Sequence, residues 1–205
     1  MTNELSNSAE SIAGSEFLGL EELLAQIEDE NGAACRQIYA DYKDLFDTAP
    51  GASNNHHTWE GGYRHHVEQT MNLFRSLFFQ AETNGWIAQL PEAERFNLSD
   101  GLTIMWLHDL EKPFKYRLVE ERLEDNPELK DKKARKQFRQ TMIERYGIRL
   151  NSEQQNALLH VEGVRDEYYT PNERVDHPLA AMCHCADLIS ARVLYNLRSN
   201  GTPVI

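Results

Sequence analysis

The sequence predicts an all-α fold, a compact bundle of about six or seven helices. Three observations carry this. Apolar residues recur at spacings of three and four, the period of one helix face. No segment alternates apolar and polar residues as a half-buried strand would. Capping and breaking residues fall at the edges of the periodic stretches, and no internal repeat divides the chain.

The elements follow in order. Residues 1–14 are rich in Ser, Asn and Glu and read as a mobile tail, with residues 15–200 as one domain. Ser15 is placed to cap a helix carrying Leu18, Leu20, Leu23, Leu24 and Ile27. A second helix carries Ile38, Tyr39, Tyr42, Leu45 and Phe46. Pro50, Gly51, Ser53, Asn54 and Asn55 mark a loop from Thr48 to Glu60. Gly61-Gly62 opens a helix on which His66, Thr70, Leu73 and Leu77 share an inward stripe.

Ser99 is a candidate cap for the next helix, an apolar run from Leu102 to Leu107 that delivers His108 and Asp109. Pro113 disfavours helix at the residue before it and predicts the end of that helix. Asn126 to Tyr146 reads as one charged helix with Lys130, Lys132, Lys133, Arg135, Lys136 and Arg139, stopped by Gly147. Such runs are usually solvated faces, but a basic excess stands out in an acidic chain. Ser152 and Gln155 have capping-box spacing for a helix ending near His160. Gly163 to Asp176 is a long loop. His177 and Pro178 start a last helix whose inward stripe is Leu179, Met182, Ala186, Ile189, Val193 and Leu197. Asp187 stands on an adjoining stripe of small residues, where a carboxylate is costly unless paired or metal-bound.

The 205-residue chain is 40% hydrophobic, enough for a sizeable core. Its formal net charge of -12 argues against nonspecific binding to nucleic acid or to an anionic membrane. Three cysteines without framework spacing, no signal-peptide pattern and no apolar run near the ~18 residues of a membrane helix predict a cytoplasmic protein. Cys183-His184-Cys185 does not read as a zinc site, because alternate helix positions diverge and no second Cys/His group exists.

His66, His108 with Asp109, and Asp187 lie on different predicted helices, each at an end or on an apolar face. Two imidazoles and two carboxylates form a mixed nitrogen and oxygen set. It suits one divalent Mn, Fe, Co, Ni or Zn ion, with Mg also admissible, better than the all-oxygen preference of Ca²⁺. Four protein ligands on an octahedral ion leave two positions for water and substrate.

The order His … His-Asp … Asp resembles the HD-domain superfamily of metal-dependent phosphohydrolases. HHTWEGGYRHH, from His56 to His66, resembles the paired histidines, Gly-Gly and ligand histidine of a subset that includes the HD domains of bacterial 3′–5′ exoribonucleases. HDLEKP, from His108 to Pro113, resembles the His-Asp-x-Gly-Lys string, with Glu111 where glycine is common. CHCADLISAR, from Cys183 to Arg192, resembles the terminal helix with the last metal ligand. The likeness spans about His56 to Arg198, and the first 50 or so residues lie outside it.

The resemblance implies His66, His108, Asp109 and Asp187 as metal ligands. It also implies Lys112 near the scissile phosphate, and His160 where the family often has a further histidine. Phe114 to Ser152 contains no histidine, which argues against the second metal of binuclear members; His184 then supports the site from behind the ligands. His56 and His57 are expected in a loop lining the entrance.

The expected chemistry is hydrolysis of a phosphate ester or anhydride of a nucleotide. Asp109 orients water, Lys112 stabilises phosphoryl charge, Lys115 and Arg117 bind substrate less strongly, and His160 protonates the leaving oxygen. Rival readings are a cyclic-nucleotide phosphodiesterase, a 3′–5′ exonuclease, and a regulatory HD protein that senses nucleotide without turnover. The expected partner is a small phosphorylated substrate, with no membrane and no stable nucleic-acid partner; a homo-oligomer is compatible with this reading.

Overall fold

The periodic stretches form ten helices among the described residues: α1 (Leu20–Ala25), α2 (Asp29–Asp41), α3 (Lys43–Thr48), α4 (Gly62–Thr83), α5 (Trp86–Gln89), α6 (Leu98–Leu107), α7 (Lys112–Lys115), α8 (Lys132–Arg145), α9 (Ser152–His160) and α10 (Pro178–Ile189). The computed structural model describes residues 16–51, 57–119, 122–163 and 177–194, without the side chains of 117–119, 122 and 123. The fold is all-α. Six of these helices have nine or more residues, and the other four are short connecting turns of helix.

α4 is the element against which most of the others pack. Its buried residues run around more than one stripe, so α6 and α10 cover one side and α1 and α3 another. α9 closes the bundle against α6 and α10. Trp106, Tyr63, Phe46 and Phe74 are the largest fully buried side chains. Phe46 and Trp106 meet edge-on at 5.4 Å, joining α3 to α6.

Close backbone approach sets the spacing. A Cβ on Gly101 would stand 1.7 Å from Cζ of Phe74, so only glycine lets α6 lie this close to α4. That approach brings the start of α4 and the end of α6, with their histidines, face to face. A Cβ on Gly62 would be 2.0 Å from the His57 carbonyl oxygen, so the chain entering α4 folds directly over its first turn.

The first helices belong to the same bundle. Leu20, Leu23, Leu24, Ile27, Ile38 and Phe46 are core residues. Arg64 on α4 reaches all three: it pairs with Glu21 at 2.7 Å and Asp47 at 2.8 Å, and donates to Tyr39 Oη at 2.8 Å.

Several local expectations are corrected. The second helix breaks at Tyr42 into α2 and α3. α1 begins at Leu20, after an extended Gly19, and Leu18 lies before the helix; Ser15 and the tail 1–14 lie outside the described residues. Asn97, not Ser99, caps α6, accepting from the Asp100 N–H at 2.9 Å while Asp100 accepts from Asn97 N–H. Asn151 and Gln154, not Ser152 and Gln155, form the box that opens α9. At α6 the residue with an acid three positions on prevails, since Ser99 is followed at that spacing by Leu102; at α9 both candidates have a glutamine there, and the box forms one residue earlier.

The basic helix is shorter than expected, because Pro127–Leu129 forms a 3₁₀ turn and Asp131 caps α8 afresh. Between α7 and that turn lies an unexpected hairpin, β1 (Tyr116–Val119) with β2 (Arg122–Asp125), antiparallel with Tyr116 opposite Asp125. Strands of four residues, half of them charged, are too short to show a period of two. Val193 is 64% exposed rather than inward. The last helix widens into a π-turn over Ser190–Leu194, which shifts the stripe out of phase; Leu197 and the loop 164–176 lie outside the described residues. No described helix is long and apolar enough to cross a membrane.

Candidate metal centre and cleft

His66 begins the second turn of α4 and is fully buried. Its Nδ1 is 3.0 Å from Ser190 Oγ, and that hydroxyl donates its one proton to Gln69 Oε1 at 2.7 Å. Ser190 must therefore accept from His66 Nδ1–H, which leaves the lone pair on Nε2. The π-turn supplies this contact by carrying Ser190 inward.

His108 is the last residue of the α6 turn, its N–H bonded to Ile104 O at 2.9 Å. Its Nδ1 is 2.7 Å from Met105 O, and a carbonyl only accepts, so this ring too carries its proton on Nδ1. The two Nε2 atoms face each other at 3.3 Å.

Beyond His108 the chain tightens. Leu110 bonds back to Leu107 O and Lys112 to Asp109 O, each three residues earlier. In this 3₁₀ geometry residues three apart eclipse, so Lys112 stands over Asp109 and pairs with its Oδ2. Pro113 therefore does not end α6 as expected; it sits inside the first turn of α7, and the tightening comes earlier. Asp109 Oδ2 is 3.2 Å from Nε2 of His66 and 3.2 Å from Nε2 of His108. Asp187, from α10, places Oδ1 3.4 Å from His66 Nε2 and 3.7 Å from His108 Nε2.

His66, His108 and Asp187 form a buried group whose ligand atoms all lie within 4.8 Å of one another and which could hold a metal ion. Donor atoms ~2.1 Å from one ion are separated by about 3.0 Å at adjacent octahedral corners and about 3.4 Å in a tetrahedron. The observed 3.2–3.7 Å separations have that scale. Two lone pairs 3.3 Å apart, flanked by two carboxylates, repel one another unless a cation or proton joins them, so these residues fit a metal. Asp109, expected as a fourth ligand, lies outside that three-residue group: its Oδ2 faces both imidazoles but is shared with Lys112.

The protonation pattern has the same cause. Burial works against a charged His108, yet Asp109 and Asp187 raise its pKa to about 10. Burial alone would raise both carboxyls. Lys112 and His108 instead hold Asp109 well below the ordinary carboxylate range, and the two histidines do the same for Asp187. Glu111, beside them, is pushed upward by its own burial.

A cleft of about 340 Å³ opens over Asp109 and Asp187. Seven cations line it (Lys112, Lys115, Lys132, Arg135, Lys136, Arg139 and Arg192) against four carboxylates. Arg139 Nη1 donates to the carbonyl oxygen of His108 and lies 3.7 Å from Glu111 Oε2. A cation at the C-terminal end of α6 satisfies an otherwise unpaired carbonyl and meets the negative end of the helix dipole.

The other expected residues divide. Lys115 lines the cleft, its Nζ 3.1 Å from Tyr116 Oη. Arg117 lies opposite Glu124 in the hairpin, its side chain outside the described residues. His160, at the end of α9, does not line the cleft; the imidazole that does is His184, its Nδ1 2.8 Å from Val161 O. His57 is fully buried rather than at an entrance, its ring 5.0 Å from that of His66; His56 lies outside the described residues. Sequence reasoning missed Ser190, Gln69 and Arg139 as site residues. Only Arg139 had a signal, the basic excess of its helix. Comparison of the chain with protein-family models, with curated proteins and with solved structures found no match in any of the three.

Proposed function

We propose that the chain is an HD-type phosphohydrolase that uses one divalent ion, Mn, Fe, Co, Ni, Zn or Mg, to hydrolyse a phosphate ester or anhydride of a nucleotide. The observation that carries the reading is the convergence of two Nε2 atoms and two carboxylates at 3.2–3.7 Å beneath a cation-lined cleft. A net charge of -12 makes that lining a local exception suited to an anionic ligand.

A divalent ion at this group supplies Lewis acidity and a water whose pKa is lowered towards roughly 7. His66 and His108 hold their lone pairs inward because Ser190 and Met105 O take their Nδ1 protons. Asp109 orients the attacking water with the oxygen it shares with Lys112. Lys112 neutralises charge growing on the phosphoryl oxygens, and Lys115 holds the phosphate from the rim. His184 takes the place expected of His160 beside the leaving oxygen.

The test is a metal-dependent turnover screen over mononucleotides, nucleoside triphosphates, cyclic nucleotides and short oligonucleotides, read by released phosphate or nucleotide. Metal-restored turnover is expected with one equivalent of bound metal, and Asp187→Asn should lose both while retaining its helical circular dichroism. Nucleotide binding with no turnover under any metal would replace this reading with the sensing one. Two protein-held metal ions per chain would refute the single-ion centre.

A further inference from the structure

We propose that the cleft binds a chain of two or more contiguous phosphates, one end at the His66–His108–Asp187 group and the remainder along one face of α8. This rests on the phosphohydrolase reading only for which end reacts; the binding site itself stands on the cleft.

Lys132, Arg135, Lys136 and Arg139 are related as i, i+3, i+4 and i+7, one stripe on a helix, and all four line the cleft with Asp109 and Asp187. Arg139 fixes the direction of the stripe. Its bond to the His108 carbonyl anchors one end at the metal-ligand group. Lys132 lies seven residues earlier, about 10 Å along the axis. A single phosphoryl group engaged at the histidines leaves the outer turns without a ligand, whereas further phosphates extend along them.

A basic stripe is ordinarily a solvated face paired with neighbouring acids. Acids are abundant here, 33 against 21 basic residues, yet no ion pair among the described residues involves Lys132, Arg135 or Lys136. The stripe also opposes the stability of its own helix. Lys132 and Lys133 occupy the first turn, where the dipole favours acids, and like charges three and four apart repel. An anionic ligand relieves both. Among the described residues only two rings line the cleft, Tyr116 and the His184 imidazole, and no Phe or Trp joins them, so successive bases of a single strand have no extended stacking platform. That favours a contiguous phosphate chain over an oligonucleotide.

The experiment titrates the full chain, treated with chelator so that phosphates do not compete for metal in solution, with orthophosphate, pyrophosphate and tripolyphosphate by calorimetry. Tripolyphosphate should bind at least about tenfold more tightly than orthophosphate. Lys132→Ala/Lys136→Ala should erase most of that preference, while Lys130→Ala/Lys133→Ala, the same change in charge off the cleft, should keep it. Equal affinities for the two anions, or equal losses in both double variants, would overturn the proposal. So would a short oligothymidylate that binds more tightly than tripolyphosphate through the same two lysines. The outcomes separate the two readings. Preference without turnover sinks hydrolysis and leaves this site standing, and turnover without preference does the reverse.

Discussion

Lys112 and Asp109 form one ion pair that opposes metal binding and, in the proposed mechanism, serves the chemistry. Lys112 pairs with Oδ2 of Asp109, the oxygen that also faces both imidazoles, so the ammonium competes with any ion for that ligand. The two roles have opposite signs in a variant. Lys112→Ala removes the competitor, so metal affinity should hold or rise. If the ammonium stabilises the transition state, kcat/KM on the best substrate should fall by at least ~100-fold, or ~2.7 kcal/mol. Near-normal turnover, or lost metal, would remove Lys112 from the mechanism. At this scale the sequence was legible where a ligand belonged to a string, as His108, Asp109 and Lys112 do. It was silent on Ser190, because no spacing rule announces a π-turn. His160 failed for a simpler reason: its position in the chain resembled a family histidine, but its helix delivers it away from the cleft.

Helix ends, more than helix bodies, build the centre. His66 stands near the start of α4, His108 closes α6, and Asp187 lies in the last turn of α10. The bodies were readable because apolar stripes repeat over many residues and errors average out. The ends were not, since a cap is chosen by one or two hydrogen bonds, and Asn97 displaced Ser99 on that margin. Arg139 carries an element-level consequence. It crosses from α8 to the terminal carbonyl of α6 and approaches buried Glu111, so it joins two helices that the hairpin separates in sequence. Arg139→Leu should destabilise the protein by about 2–3 kcal/mol, since it strands a carbonyl and a buried carboxylate. Adding Glu111→Gln should recover part of the loss. Chemical denaturation of the two variants checks this, and an Arg139→Leu midpoint within error of wild type would show the contact to be incidental.

The whole molecule concentrates negative charge at its centre and positive charge around the mouth, within an acidic chain. The centre needs a cation: a metal when one is present, a proton on His108 when it is not. This fixes how stability depends on pH. His108 is raised from an ordinary 6.5 to about 10 in the fold. A group raised on folding stabilises fully below its unfolded pKa and loses that contribution as pH climbs through the folded value. Asp109 and Asp187 are held low, so their contribution is present above about 3.9 and is lost only in acid. The site of the metal-free chain is thus most stabilising between about 4 and 6.5, and it weakens steadily above. A metal ion displaces the proton and removes that dependence. The Tm of chelator-treated protein should therefore fall from about pH 6.5 to about pH 8.5, while that of metal-loaded protein stays level. The metal-induced rise in Tm should grow over the same interval, with protons released to buffer on binding. His108→Asn should flatten the metal-free profile. A metal-free Tm that does not change across this window would mean that the two carboxylates are not sharing a proton with His108, and the electrostatic account of the centre would fail with it.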